Sequence, residues 1–154
     1  ASFEALIRSH NSYRDEAIER IYNEFIDDAQ VIDMWFSYQS LSPLTTPSRV
    51  RELMDHRLFS IKNPNRVRSL VGSFTQNHQQ FHCMDSYRSF GEFILELDSI
   101  NPQVAARLAG IFNLWKRYTP SHSELQRREL EVIRASKNLS NNVFEIVNIA
   151  LEGK

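Results

Sequence analysis

Two groups of side chains in this 154-residue sequence have the chemistry for a site. The first is His78, His82, Cys83 and Asp85. Imidazole, thiolate and carboxylate are the donors that hold zinc, and two histidines four residues apart would suit one helical turn. The stretch from Gln76 to Asp85 is polar and aperiodic, however, and reads as a loop. No His-Glu-x-x-His motif stands anywhere in the chain. The plainer expectation is polar loop residues, or His82 hydrogen-bonded beneath a helix. His10, His56 and His122 are isolated from one another and suggest nothing by spacing. The second group is Arg68, Gln103 and Arg107. Val104, Leu108, Ile111 and Trp115 mark an apolar helix face, and Leu114 and Tyr118 widen it. Arg107 falls between those last two in helical angle, with Gln103 one turn back on the same stripe. Arg68 borders the face of Val67, Leu70 and Val71. A guanidinium within an apolar arc must snorkel, pair with a carboxylate or face a wet cavity. Two readings stay open: a structural ion pair, or a polar pocket for an anionic or carbonyl group. There is no Gly-rich phosphate loop and no nucleophile motif, so residue chemistry alone defines no catalytic centre.

The elements that carry these side chains show an internal repeat. Asn63-Pro64-Asn65-Arg66-Val67-Arg68-Ser69-Leu70-Val71-Gly72-Ser73-Phe74 returns 38 residues on as Asn101-Pro102-Gln103-Val104-Ala105-Ala106-Arg107-Leu108-Ala109-Gly110-Ile111-Phe112. Asn, Pro, Leu, Gly and Phe hold the same places in both copies. Asn can cap a helix and Pro fits its first position, so each copy predicts a helix start. Asp27-Asp28 and Thr46-Pro47 predict two more starts, Ser121 with Glu124 a capping box, and Ser140 the last cap. Tyr13 to about Phe25 and Tyr87 to Leu97 have helical periodicity, and the helix from Asn101 is expected to run to about Tyr118. Leu125, Leu130, Val132 and Ile133 form the apolar set of the helix begun at Ser121. No segment alternates long enough for a strand. Alternate helices begin near residues 28, 63, 101 and 140. That rhythm predicts an all-α superhelix (solenoid) of about four stacked antiparallel helix pairs, HEAT/armadillo-like, as a single domain over residues 1–154. Gly72, Gly91 and Gly110 lie inside helices, and each predicts either a close helix–helix approach or an exposed site that tolerates the cost.

Composition narrows the function classes. The net charge is −1, with both signs interleaved, which argues against a dedicated nucleic-acid binder; Lys62, Arg66 and Arg68 are the residues such a binder would use. Cys83 is the sole cysteine, so no internal disulfide forms, with a lean to the cytoplasm. No apolar run approaches the roughly 20 residues of a membrane span. Trp35, Phe36 and Tyr38 crowd one short segment, and the first helix pair is expected to leave apolar surface exposed.

Several blocks also carry a resemblance. These are Trp35-Phe36 through Ser42-Pro43, His56 through Leu70, Phe81-His82, and Asn101-Pro102-Gln103-Val104-Ala105-Ala106-Arg107-Leu108. In order and spacing they resemble the C-terminal domain of bacterial aminopeptidase N, a family of gluzincin zinc metallopeptidases. The resemblance implies an all-α superhelix of paired helices that is the last domain of a larger, cytoplasmic, broad-specificity peptidase. It implies zinc in the catalytic domain of that parent and none in this chain. It implies that this domain covers the active site. Arg68, Gln103 and Arg107 would face the chamber, where they could meet the C-terminal side of a bound peptide. The partners implied are the parent's other domains and peptide substrates, with no nucleic acid and no membrane. One departure stands out: the family's Asp-Gly-x-Gly-Tyr loop is represented by Asp85-Ser86-Tyr87, two residues shorter and without glycines. The competing expectation is a free-standing helical-repeat scaffold that binds protein or peptide on its concave face.

Overall fold

The computed structural model describes residues 2–153, whose regular structure is helical throughout. The described residues fall into two compact units, divided between Phe81 and His82.

The first unit contains α1 (Phe3–Ile7), α2 (Arg14–Phe25), α3 (Ala29–Leu41), α4 (Pro47–Met54) and α5 (Pro64–Val67), which runs on as a π-helical turn, Arg68–Gly72. The caps are largely those the sequence predicts. Asp28 Oδ1 accepts from the Gln30 and Val31 N–H groups at 3.1 and 3.2 Å, and Thr46 Oγ1 accepts from Arg49 N–H at 3.2 Å. Asn63 Oδ1 takes the N–H groups of Asn65 and Arg66 at 3.1 and 3.2 Å, with Pro64 at the first helical position. Each satisfies orphan donors of a helix start. The core gathers Ile32, Trp35, Phe36, Val50, Leu53, Val67, Leu70, Val71 and Phe74.

The exposure expected at Trp35 and Phe36 is not found. They are 4 % and 0 % exposed, meet edge to face at 5.0 Å, and the Trp35 indole donates to Ile18 O at 2.9 Å. The partly covered surface lies one helix earlier. None of the residues of α2 is buried, and a groove of about 250 Å³ is lined by Phe3, Leu6, Tyr13, Ala17 and Ile21. Arg66, one of the three cations that the disfavoured nucleic-acid reading would need, is not on the surface. It is 7 % exposed, its Nε donates to Asp33 Oδ1 at 2.6 Å, Nη1 donates to Leu58 O, and its guanidinium lies 5.4 Å from the Phe36 ring centroid.

The second unit contains α6 (Met84–Asp98), α7 (Pro102–Ala109), a 3₁₀ helix continuing it over Gly110–Arg117, α8 (Pro120–Arg134) and α9 (Asn141–Glu152). Its core holds Tyr87, Phe90, Ile94, Leu97, Ala105, Leu108, Phe112, Leu130, Ile133, Val143 and Val147. Ser140 caps α9 as expected, accepting from Val143 N–H at 3.2 Å. Its own N–H and hydroxyl donate to the buried Asp98 carboxylate, which ties the end of α6 to the start of α9. The capping box predicted at Ser121 does not form. Helix α8 starts at Pro120 behind Thr119, and Glu124 is drawn away by Arg127 at 2.7 Å and Arg128 at 3.1 Å. Val132, assigned to the apolar face, is 56 % exposed.

Of the three helical glycines, only Gly91 marks a close approach between helices. A Cβ there would lie 2.7 Å from Glu129 Oε2 on α8. Gly72 and Gly110 would meet only their own segments, Arg68 Cβ at 3.8 Å and Asn113 Nδ2 at 3.5 Å.

Candidate functional site

Gln103 and Arg107 lie one turn apart on α7. Asn101 Oδ1 accepts from Val104 N–H at 3.2 Å and Pro102 occupies the first helical position, which fixes where the turns fall. Ala105, Leu108 and Ala109 face the core, leaving Gln103 and Arg107 exposed. Neither has a hydrogen bond or ion pair with any described residue. Three other arginines of this unit are paired: Arg127 with Glu124 and Glu131, Arg128 with Glu124, and Arg134 with Glu152 at 2.7 Å. A buried structural ion pair therefore does not describe Arg107. Leu114 and Tyr118 do not enclose it as continuous α periodicity predicts. The helix tightens from Gly110 on, so each later side chain advances further around the axis.

Arg68 belongs to the first unit. It opens the π-helical turn, is exposed, and its Nη2 donates to Asn65 Oδ1 on the preceding turn. The structure thus brings Gln103 and Arg107 onto one helix face and places Arg68 on a separate element.

The histidine loop is a hydrogen-bonded network. His82 Nδ1 is 2.7 Å from the Tyr87 hydroxyl, which also accepts from Gln126 Nε2 at 3.0 Å. His122 Nε2 lies 3.1 Å from His82 O; a carbonyl only accepts, so Nε2 carries the proton. His122 Nδ1 is 2.9 Å from Thr119 Oγ1, and the Tyr118 ring lies 5.0 Å from that of His82. Burial pushes the Tyr87 phenol up to about 12, against the opposing hydrogen bond from Gln126. Cys83 Sγ donates to Ser86 Oγ at 3.3 Å. Among the described residues no group of three or more His, Cys, Asp or Glu side chains could hold a metal ion. A zinc site needs three or four such donors converging, and the loop does not bring them together among the described residues. Asp85, Ser86 and Tyr87 fall in the first turn of α6, so the shortened family loop is taken up as helix. His122 escaped the sequence reading because it stands forty residues from His82, and no spacing rule links them. Among the described residues no helix is long and apolar enough to cross a membrane.

Capped helix starts in a regular rhythm, both copies of the Asn-Pro motif among them, define a helical-repeat chain. It belongs to the family described as "Domain of unknown function (DUF3458_C) ARM repeats", whose model matches residues 1–152. Its relatives are more particular. It is similar to aminopeptidase N of Escherichia coli (strain K12), 35% identical over 155 residues that cover 98% of this chain and 18% of that protein. It is similar to aminopeptidase N of Caulobacter vibrioides, 37% identical over 142 residues, covering 90% of this chain and 16% of that protein. Among solved structures it is similar to the crystal structure of Legionella pneumophila aminopeptidase A in complex with aspartic acid. That match has a TM-score of 0.91 at 30% identity and covers 99% of this chain and 18% of the other. The chain is thus homologous to the C-terminal part of aminopeptidase N and spans less than a fifth of the length of these relatives.

Proposed function

We propose that this chain is the non-catalytic C-terminal domain of a cytoplasmic, zinc-dependent aminopeptidase N, and that it walls the substrate chamber. In this reading the zinc and its ligands lie in the parent's catalytic domain, and this domain meets the C-terminal side of the bound peptide. The observation that carries the reading is the Gln103–Arg107 pair, exposed on one face of α7 with no partner among the described residues. An exposed guanidinium without a carboxylate is free to receive one, through a charge-assisted hydrogen bond from a peptide's C-terminus. Arg68, in the first unit, is proposed by itself as a further peptide contact, on the family resemblance alone.

The test is Arg107→Ala in the full parent enzyme. Di- and tripeptide turnover should weaken mainly through KM, by roughly 1–3 kcal/mol. A neutral aminoacyl anilide, which has no C-terminal carboxylate, should be affected far less. The melting temperature should hold, since Arg107 is exposed and makes no ion pair with a described residue. Equal losses on both substrates would remove Arg107 from the substrate path.

A further inference from the structure

His10, Asn11, Arg14, Asp15, Leu44 and Arg49 of the first unit line a cavity of about 350 Å³. Small-molecule sites run from about 300 to 1,000 Å³, so this one suits a small ligand. Its nitrogen donors come from three separate stretches: His10 and Asn11 after α1, Arg14 at the start of α2, and Arg49 in the first turn of α4. Hydrogen bonds hold these stretches together. Ile7 O, at the buried end of α1, accepts from Arg14 Nε at 3.1 Å and from Ser42 Oγ at 2.7 Å. Asn11 Nδ2 donates to Leu6 O at 2.7 Å, and its Oδ1 accepts from Tyr13 N–H at 2.9 Å. Ser42 Oγ also accepts from Leu44 N–H at 3.3 Å, which sets the apolar wall. Several donors are left over. The Arg14 side chain is 21 % exposed, and its Nη2 has no hydrogen bond to a described residue. Arg49 Nη1 donates to Glu52 at 3.0 Å, while its Nε and Nη2 donate to no described residue. His10 makes no hydrogen bond or ion pair with a described residue. The neighbouring acids compete weakly. Asp15 meets Arg14 at 3.5 Å and is 96 % exposed, and Glu52 is exposed too; such surface pairs contribute little. Glu16 lines the adjacent groove instead, and Glu4 pairs with Arg8.

We propose that this cavity binds a small organic phosphate. The guanidinium groups of Arg14 and Arg49 and the imidazole of His10 surround the phosphate oxygens, and Leu44 covers the carbon skeleton. The donor set selects the ligand. A carboxylate presents two oxygens in one plane, whereas a phosphate monoester presents three terminal oxygens and close to two negative charges. Only the phosphate can meet donors that arrive from three directions. Charge points the same way: a dianion can displace the exposed carboxylates of Asp15 and Glu52 from the guanidinium groups, where a single carboxylate would merely exchange for one of them. The inference stands apart from the proposed function, because these residues belong to the first unit and Gln103 and Arg107 to the second.

The experiment titrates phenyl phosphate, benzoate and inorganic phosphate by calorimetry into this chain and into the whole parent protein. Phenyl phosphate should bind saturably to both, about tenfold or more tightly than benzoate, and more tightly than inorganic phosphate, which leaves Leu44 uncovered. Arg49→Gln should weaken phenyl phosphate about tenfold or more, as the loss of a charged hydrogen-bond donor does. His10→Ala, at a side chain that bonds to no described residue, should weaken it severalfold, with circular dichroism unchanged. Asp15→Asn should tighten it, by removing the one acid that lines the cavity. No saturable binding, or binding that neither Arg49→Gln nor His10→Ala weakens, would overturn the proposal. Benzoate bound as tightly as phenyl phosphate would overturn the choice of phosphate, and inorganic phosphate bound equally well would overturn the organic part. An unchanged affinity in Asp15→Asn would place the ion elsewhere. Binding to this chain that vanishes in the parent would show the cavity closed there and overturn the site.

Discussion

His56 shows how a residue with no motif around it acquires a measurable role. Its Nδ1 accepts the Leu58 N–H at 3.1 Å, and its ring lies 5.3 Å from Tyr22, 5.3 Å from Trp35 and 5.6 Å from Phe36. Burial, and then the charges of Arg57, Arg49 and Arg66, lower its pKa below 6.5. A depressed folded pKa means that protonation opposes folding. The contribution of His56 is therefore present above 6.5 and is lost as pH falls through the lowered value. Urea midpoints across that range should fall with pH, and His56→Phe should flatten the slope; an unchanged slope would clear His56 of the effect. Arg66 offers a second test. Its partner Asp33 is the acid that balances a nearly buried guanidinium, so Asp33→Ala should destabilise the fold by about 3 kcal/mol in a denaturant titration. Neither role was legible in the sequence. An arginine in a polar-looking run gives no sign that Leu58 O and the Phe36 ring close over it.

Helix starts were legible, because Asp, Asn, Thr and Ser caps and first-turn prolines act locally, on residues two or three further along. Asn101→Ala should cost about 1 kcal/mol in a melting experiment, as a cap that serves one N–H. The glycines were legible only in part, since close approach depends on which side chain another helix brings. At Gly91 that side chain is Glu129, whose pKa is raised, first by burial and against the opposing charge of Arg88. A raised carboxylate pKa adds stability below 4.5 that is lost as pH rises through the folded value. The obstructing atom is the far end of a flexible chain, so Gly91→Ala should swing the carboxylate into water. The helix-propensity gain of up to about 1 kcal/mol then wins, and the variant should melt no lower than the parent sequence at neutral pH. Glu129→Gln should stabilise at the same pH, and the double variant should gain less than the sum of the two. A clear loss of stability in Gly91→Ala would mean that α8 cannot give way.

For the molecule as a whole, periodicity and caps carried the all-α reading, and the long ordered blocks carried the family. Exposure was harder to foresee, because burial depends on the elements that arrive from elsewhere; Trp35 and Val132 were both misjudged for that reason. Elemental analysis after dialysis against a weak chelator should find no stoichiometric zinc in this chain. Retained zinc at one equivalent would contradict the hydrogen-bonded reading of the His82 loop. The two Asn-Pro copies have a last consequence. Leu70 and Phe74 are buried in the first, Leu108 and Phe112 in the second, yet between cap and phenylalanine one helix widens into a π turn and the other tightens into 3₁₀. A wide turn rotates less per residue and a tight one more. Letters that align between the copies therefore reach the shared phenylalanine by different windings. An engineer who spliced one copy into the other would keep every shared letter and misdirect whatever follows.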